Sequence, residues 1–363
     1  MGSETPIAPA APDCAVAQRP KRRFFGPLTR RRWAVFKANR RSFWSLWIFL
    51  VLYGLSLGAE LIANDKPILL SYGGEIYAPV LKAYPETTFG GDFETEADYH
   101  DPYLQRLLEE DGGWQVWPLV RFSYSTLDYD IGEAVPAPPS SRHWLGTDNQ
   151  ARDVFALVVY GFRLSVTFGL LLTILSSTIG IVAGAIQGYF GGLTDLLLQR
   201  GIEILQSLPV LYLLIIMASF VTPSFFTILG VLLLVTWMTL VGVVRAEFLR
   251  ARNLDYVRAA RALGLGNRKI MFRHILPNAM VATMTFLPFI LSTSITLLTA
   301  LDFLGFGLPR GEPSLGELLN QAKNNLYAPW LGITGFMVMA VMLSLLIFIG
   351  EGARDAFDPR KAK

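Results

Sequence analysis

The placement of charge along this chain constrains its fold more than any other feature. Four long intervals, residues 164–194, 204–244, 274–301 and 324–350, contain no Asp, Glu, Lys or Arg. Each exceeds the roughly 20 apolar residues needed to cross a hydrocarbon core about 30 Å thick. The second is long enough for two crossings, and Thr222-Pro223-Ser224 marks a turn in its middle. With the aromatic-flanked run 43–63 the chain has six expected spans, near 43–63, 164–186, 204–221, 226–245, 275–301 and 332–350. With 52% hydrophobic and 17% charged residues, it is too apolar and too charge-poor for a soluble domain of 363 residues. The expected fold class is an all-α polytopic membrane protein.

Lys and Arg retained on the cytoplasmic side set the orientation of such a chain. Residues 1–42 hold ten Lys/Arg against two Asp/Glu, and residues 245–273 hold eight against two, so both are expected in the cytoplasm. Residues 64–152 hold six basic against fifteen acidic side chains and belong on the opposite face. An even number of crossings returns the tail, with Arg354, Arg360, Lys361 and Lys363, to the cytoplasm. The expected divisions are a basic leader with an interfacial helix (1–42), a first span (43–63), an extracytoplasmic insertion (64–152), a five-helix core (153–350) carrying the basic loop 245–273, and a tail (351–363). The Ala/Pro-rich stretch 1–20 lacks residues for a core and reads as a disordered tail. The basic and aromatic stretch from Arg30 through Trp44 fits a helix lying along an anionic leaflet, and equally a plain topology signal.

Several function classes are missing their residues. Ion-coupled transporters place ionisable groups near the bilayer midplane; here Asp195, Arg200 and Glu203 fall at an expected cytoplasmic turn and Asp302 at the outer end of the fifth span. No Gly-x-x-x-x-Gly-Lys-Ser/Thr phosphate loop occurs, so ATP hydrolysis by that route needs another chain. His100, His143 and His274 lack metal-ligand spacing and are assigned no catalysis, and no metal or cofactor site is expected in the chain. The lone Cys14 cannot form an intrachain disulfide. Gly180, Gly184 and Gly188 recur every four residues, which reads as a helix-packing face in preference to a gating hinge. Polar residues in the spans, such as Gln187, Gln206, Thr236 and Ser292, either line a path or bond to neighbouring helices, so substrate-binding residues are not assigned.

In the insertion, twelve aromatic residues between Tyr72 and Tyr129 argue for an ordered module. The region 101–110 has helix character, 114–129 alternates like extended structure, and Pro136-Ala137-Pro138-Pro139 makes a stiff connector. Its acidity either steers a partner or cationic peptides, or reflects only the exclusion of Lys and Arg from a translocated segment.

The basic loop reads as two short helices with a Gly-rich break. Tyr256, Val257, Ala260 and Leu263 make a narrow apolar stripe beside Arg258, Arg261 and Arg268, a surface suited to a groove on another protein; the bland alternative is a solvated loop. Arg258-Ala259-Ala260-x-x-x-Gly264, followed after nine residues by His274-x-Leu276-Pro277, resembles the EAA loop of ABC-importer permeases. Arg258 stands where that family's Glu is usual and His274 where Ile is common. His143-Trp144-Leu145-Gly146-Thr147-Asp148 with Arg152-Asp153-Val154, and Leu301 through Pro309 with Pro313-Ser314-Leu315-Gly316, are similar to dipeptide and oligopeptide permeases. Ala151 occupies a position that is often Gly there. The long leader and acidic insertion resemble the Yej-type branch of peptide/microcin C importers.

The resemblance implies six helices of the type I (MetI-like) permease fold with a periplasmic insertion between helices 1 and 2. It implies half of a peptide path in the bacterial inner membrane, with both termini cytoplasmic. Tyr256, Val257, Arg258, Ala259, Ala260, Arg261, Leu263 and Gly264 would form the coupling loop. ATP and Mg would be bound by a separate ATP-binding subunit or fused pair of such domains. The other implied partners are a second permease, a periplasmic peptide-binding protein and the lipid bilayer, with no nucleic acid. The alternatives are an ion-coupled secondary transporter and a non-transport membrane scaffold or sensor.

Overall fold

A computed structural model of the chain describes residues 27–218 and 220–358. The expected disordered stretch 1–20, Cys14 and the terminal cations Arg360, Lys361 and Lys363 lie outside the described residues.

The chain enters through helix α1 (Pro27–Ala38) and α2 (Arg40–Leu57), separated by Asn39, whose side chain accepts the amide of Ser42 and so caps α2. A short α3 (Ala59–Ile62) leads into the insertion. There β1 (Leu69–Tyr72) pairs antiparallel with β2 (Glu75–Tyr77) and with β3 (Gln115–Val116), giving the sheet order β2-β1-β3. Helix α4 (Pro102–Glu110) begins where expected, capped by Asp101 with Pro102 in its first turn. Of the extended structure expected over 114–129, the chain forms the two residues of β3 and a single parallel bridge between Val120 and Ala63. The module's core explains its aromatic richness: Phe89 makes edge-to-face contacts with Tyr72, Tyr77, Tyr84 and Tyr99 at centroid separations of 5.3–6.1 Å, over Leu70, Leu104 and Leu108.

The core begins with α5 (Val154–Phe190), capped by Asp153, and continues with α6 (Gly192–Gln206), α7 (Val210–Ala218), α8 (Phe225–Thr236) and α9 (Met238–Ala251). Ser224, in the expected turn, caps α8 by accepting the amide of Thr227 at 3.2 Å. Then come α10 (Asp255–Ala262), α11 (Asn267–Lys269), a π-helical turn (Ile270–Ile275), α12 (Leu276–Met284), α13 (Leu287–Phe303), α14 (Leu315–Asn324) and α15 (Pro329–Phe357).

Among the described residues, three helical runs are long and apolar enough to cross a membrane by themselves: Val154–Phe190, Phe225–Ala251 (α8 and α9 continuous through Trp237) and Pro329–Phe357. Two bent pairs raise the number to five if each is one span, α6 with α7 at 70° and Asn267–Met284 with α13 at 55°. The chain is therefore a mainly helical membrane protein. The bends sit where Pro209 and Pro288 fall, because proline withholds an amide and clashes with the preceding turn. The span nearest 164–186 is much longer than expected, since ten further residues precede it in the same helix. Asp195, Arg200 and Glu203, expected in a turn, are inside α6; the chain turns instead at Gly191 and Gly192, both with positive φ.

Candidate coupling surface

The tightest helix pair in the core is α5 against α9, and glycine makes it so. A β-carbon on Gly180 would lie 2.5 Å from the carbonyl oxygen of Trp237, one on Gly184 2.8 Å from that of Val241, and one on Gly188 2.5 Å from that of Arg245. No side chain fits at these three positions, so the helices meet backbone to backbone over two turns of α5. The packing reading of the repeat accounts for this geometry; a hinge does not, because α5 runs unbroken through all three.

Beyond α9 the chain turns at residues 252–254 and forms α10. Val257 and Ala260, one helical turn apart, are buried in one core cluster with Ile270, Met271 and Ile275 of the π-helical turn, a cluster that also holds Val244, Phe248 and Ala251 of α9. Tyr256, Arg258, Ala259, Arg261, Leu263 and Gly264 remain exposed, Leu263 at 81%. The apolar stripe read from the sequence is therefore split. Its small inner members seat the helix, and the outer ones form the free surface.

Gly264 ends α10 in the left-handed region (φ +75°). Its amide donates to the carbonyl of Arg261 at 3.0 Å, and that of Leu265 donates to Ala260 at 3.2 Å, the paired bonds of a Schellman cap. The second helix of the loop is not short. From Asn267 it runs through the π-helical turn into α12, so the break at residues 263–266 joins one short helix to a long one. Two contacts tie this break to α5: the Tyr189 hydroxyl donates to Asn267 Oδ1 at 2.8 Å, and the Arg261 guanidinium lies 5.7 Å from the Tyr189 ring centroid. Arg245 makes a bidentate pair with Asp195 at 2.5 and 2.6 Å, fixing the start of α6 to α9. α10 and the break after it are thus linked to α5 at Tyr189, and α9 is linked to α6 through Arg245 and Asp195.

The other two motifs read from the sequence organise the opposite helix ends. Asp148 accepts three bonds from Arg152, through its amide, Nε and Nη2, and a fourth from Gln321 of α14. Ala151 within this turn has φ +65°, a conformation that favours glycine. Asp302 accepts the amide of Leu308 at 2.7 Å and the hydroxyl of Ser314 at 2.5 Å, closing the loop from α13 to α14. Gly316 lets α14 sit against α13, since a β-carbon there would lie 2.6 Å from that of Asp302.

His143 carries a feature that residue spacing did not reveal. It is buried, with Nδ1 2.8 Å from Asp153 and Nε2 3.0 Å from Asp128, so both nitrogens face carboxylates and both must donate. Burial lowers the imidazole pKa, but the hydrogen bonds to Asp153 and Asp128 and their charges outweigh it, and the net shift is upward. Because Asp153 also caps α5, this bridge fastens residue 128 of the insertion to the first long span. The partners lie fifteen residues upstream and ten downstream, in no recognisable pattern.

Of the polar residues within spans, Thr236 donates to its own helix at Leu232, Gln206 is exposed, Ser292 is half-buried, and Gln187 is fully buried with no partner for its amide among the described residues. The described residues hold no cluster of three or more His, Cys, Asp or Glu able to bind a metal.

Residues 176–363 match the family model of the binding-protein-dependent transport system inner membrane component. The chain is 59% identical to the peptidoglycan transport system permease protein YejE of Agrobacterium fabrum, over 94% of this chain and 96% of the relative. It is also 59% identical to the inner membrane ABC transporter permease protein YejE of Escherichia coli, over 93% and 98%. The oligopeptide transport system permease protein OppC of Lactococcus lactis is 33% identical over 65% of this chain and 82% of its own length. Among solved structures, the inward-facing MetNI methionine ABC transporter is similar at 18% identity and a TM-score of 0.45, covering 55% of this chain and 96% of that one.

Proposed function

The chain belongs to the family of binding-protein-dependent transport system inner membrane components, specifically with the YejE-type permeases, and from that premise we propose that it forms half of an import path for peptides or peptide-like compounds. It is a multi-pass inner-membrane permease subunit of an ABC importer, without an ATPase site of its own, and a partner subunit hydrolyses ATP. The peptide cargo is inferred from relatives named for oligopeptide and peptidoglycan transport.

The observation that carries the mechanism is the construction of α10. It is a short helix seated by two small inner residues, with its outer face free, and it is joined directly to the glycine-packed pair α5 and α9. On this reading Tyr256, Arg258, Ala259, Arg261 and Leu263 meet the ATP-binding subunit, while Val257, Ala260 and Gly264 hold the helix in shape. Closure of that subunit around ATP pushes α10, and the rigid α5–α9 pair tilts as one body, opening the path to alternate faces. α2, 18 residues long with two arginines at its start, serves as the sixth crossing in this arrangement. Both termini and the 245–273 loop then face the cytoplasm, and residues 64–152 face the periplasm. There the excess of acidic residues supports docking of a peptide-binding protein, and a second permease completes the path.

The test is reconstitution of the chain with its second permease, ATPase and binding protein in liposomes, followed by uptake of a labelled oligopeptide. Uptake that requires ATP and the binding protein is the expected result. Uptake driven by a proton gradient without ATP would refute the proposed mechanism.

A further inference from the structure

The elbow between α1 and α2 carries a surface that the proposed transport mechanism does not use. Trp33 of α1 and Phe43 of α2 are ten residues apart, about 15 Å along a straight helix, yet their rings are 6.5 Å apart. Phe36 and Ser42, on either side of Asn39, both close on Gly352 of α15, where any side chain would collide with them. The chain therefore folds back at Asn39 around Gly352, and Arg32 strengthens the clamp by lying 4.7 Å from the Phe357 ring centroid. With Phe36, Ser42 and Arg32 used for attachment, what remains outward on the elbow is one chemical set.

That set has an order. Arg30, Arg31, Lys37, Arg40 and Arg41 are exposed, and none of them joins a salt bridge within the described residues. Trp33, Trp44 and Trp47 are exposed at 49%, 61% and 48%, linked through Phe43 by ring contacts of 5.9–6.5 Å. Past them, Ile48, Val51, Leu52 and Leu55 of α2 present an exposed aliphatic face. Cations, then amphipathic indoles, then aliphatic side chains reproduce the depth profile of one bilayer leaflet, from phosphate through the carbonyl region to the acyl chains.

We propose that the α1–α2 elbow is a binding surface for anionic phospholipid headgroups, which hold the cytoplasmic ends of α2 and α15 at a fixed depth through the Gly352 clamp. A soluble phosphate lacks the acyl chains that the indole and aliphatic faces need, so the occupant is the lipid. The inference concerns attachment and does not depend on what the chain transports.

The test uses the full chain in its assembled transporter, purified in detergent and depleted of lipid. It is titrated with dioleoylphosphatidylglycerol, with dioleoylphosphatidylcholine, and with glycerol-3-phosphate, and bound lipid is counted by native mass spectrometry at low and high salt. Phosphatidylglycerol should be retained in preference to phosphatidylcholine, and the preference should collapse near 1 M salt, where the screening length falls to about 3 Å. Glycerol-3-phosphate should not compete. Changing Arg30, Arg31 and Lys37 to Gln should weaken the preference by roughly fivefold per cation removed, with correct insertion verified by protease accessibility. Equal retention of the two lipids by the wild-type protein, a preference indifferent to salt, competition by glycerol-3-phosphate, or an undiminished preference in the inserted variant would each overturn the assignment. The wild-type measurements decide the matter even if the variant fails to insert.

Discussion

Substitution at Gly264 separates the shape of α10 from the partner contact proposed for it. At φ +75° a residue with a β-carbon costs about 1–2 kcal/mol, and Asn less. The β-carbon itself meets nothing within 4 Å in this chain, so Ala and Leu pay nearly the same conformational cost in the isolated subunit. α10 has eight residues, too few to hold a helix without its cap and its two seated side chains. A loss of about 1–2 kcal/mol raises the frayed population by roughly five- to thirtyfold. Hydrogen exchange across residues 255–265 should therefore accelerate by about that factor in Gly264→Ala and Gly264→Leu alike, and much less in Gly264→Asn. In the assembled transporter the series should split. Uptake should persist in Asn, fall in Ala, and be abolished in Leu, whose added bulk would collide with a partner docked on the outer face of α10 as proposed, while Leu is still inserted at wild-type level. Unchanged exchange in the Ala variant would refute the capping argument. Uptake by the Leu variant equal to that of Ala would refute close docking at this point.

Three further changes test other contacts. Gly188→Ala places a methyl group 2.5 Å from the Arg245 carbonyl and from Phe248 Cβ, so it should destabilise the α5–α9 pair by about 1–3 kcal/mol, read as a lowered melting temperature, whereas Gly242→Ala, where a β-carbon meets open space, should not. His143 has a raised folded-state pKa, so its bridge contributes fully below the unfolded value near 6.5 and is lost as pH rises through the folded value. The melting temperature of the intact protein should therefore fall on alkalinisation through that range, and His143→Gln should remove that part of the pH dependence while costing about 3 kcal/mol at low pH. Ala151→Gly should relieve the left-handed strain in the turn before α5 and raise stability by about 1 kcal/mol, measured by thermal unfolding.

Much of this protein was legible in the order of its residues, for physical reasons that act locally. A charge-free run longer than a bilayer is thick has few folds open to it, so the membrane class followed from the four intervals alone. A repeat of glycine every fourth residue puts bare backbone on one helix face, and Asp101, Ser224 and the proline breaks act within one turn of their own positions. Gly264 is likewise locally set, because the cap that ends α10 needs a residue at positive φ. The sequence does not encode which way each residue of that loop points. Val257 and Ala260 became seats and Arg258 and Leu263 free surface only because α9 and the π-helical turn come together beneath α10. The seating of Asp195 on Arg245 fifty residues away and the suspension of His143 between Asp128 and Asp153 likewise depend on chain segments that meet only after folding. A buried charge becomes tolerable only when its partners arrive, and their arrival is a property of the tertiary structure.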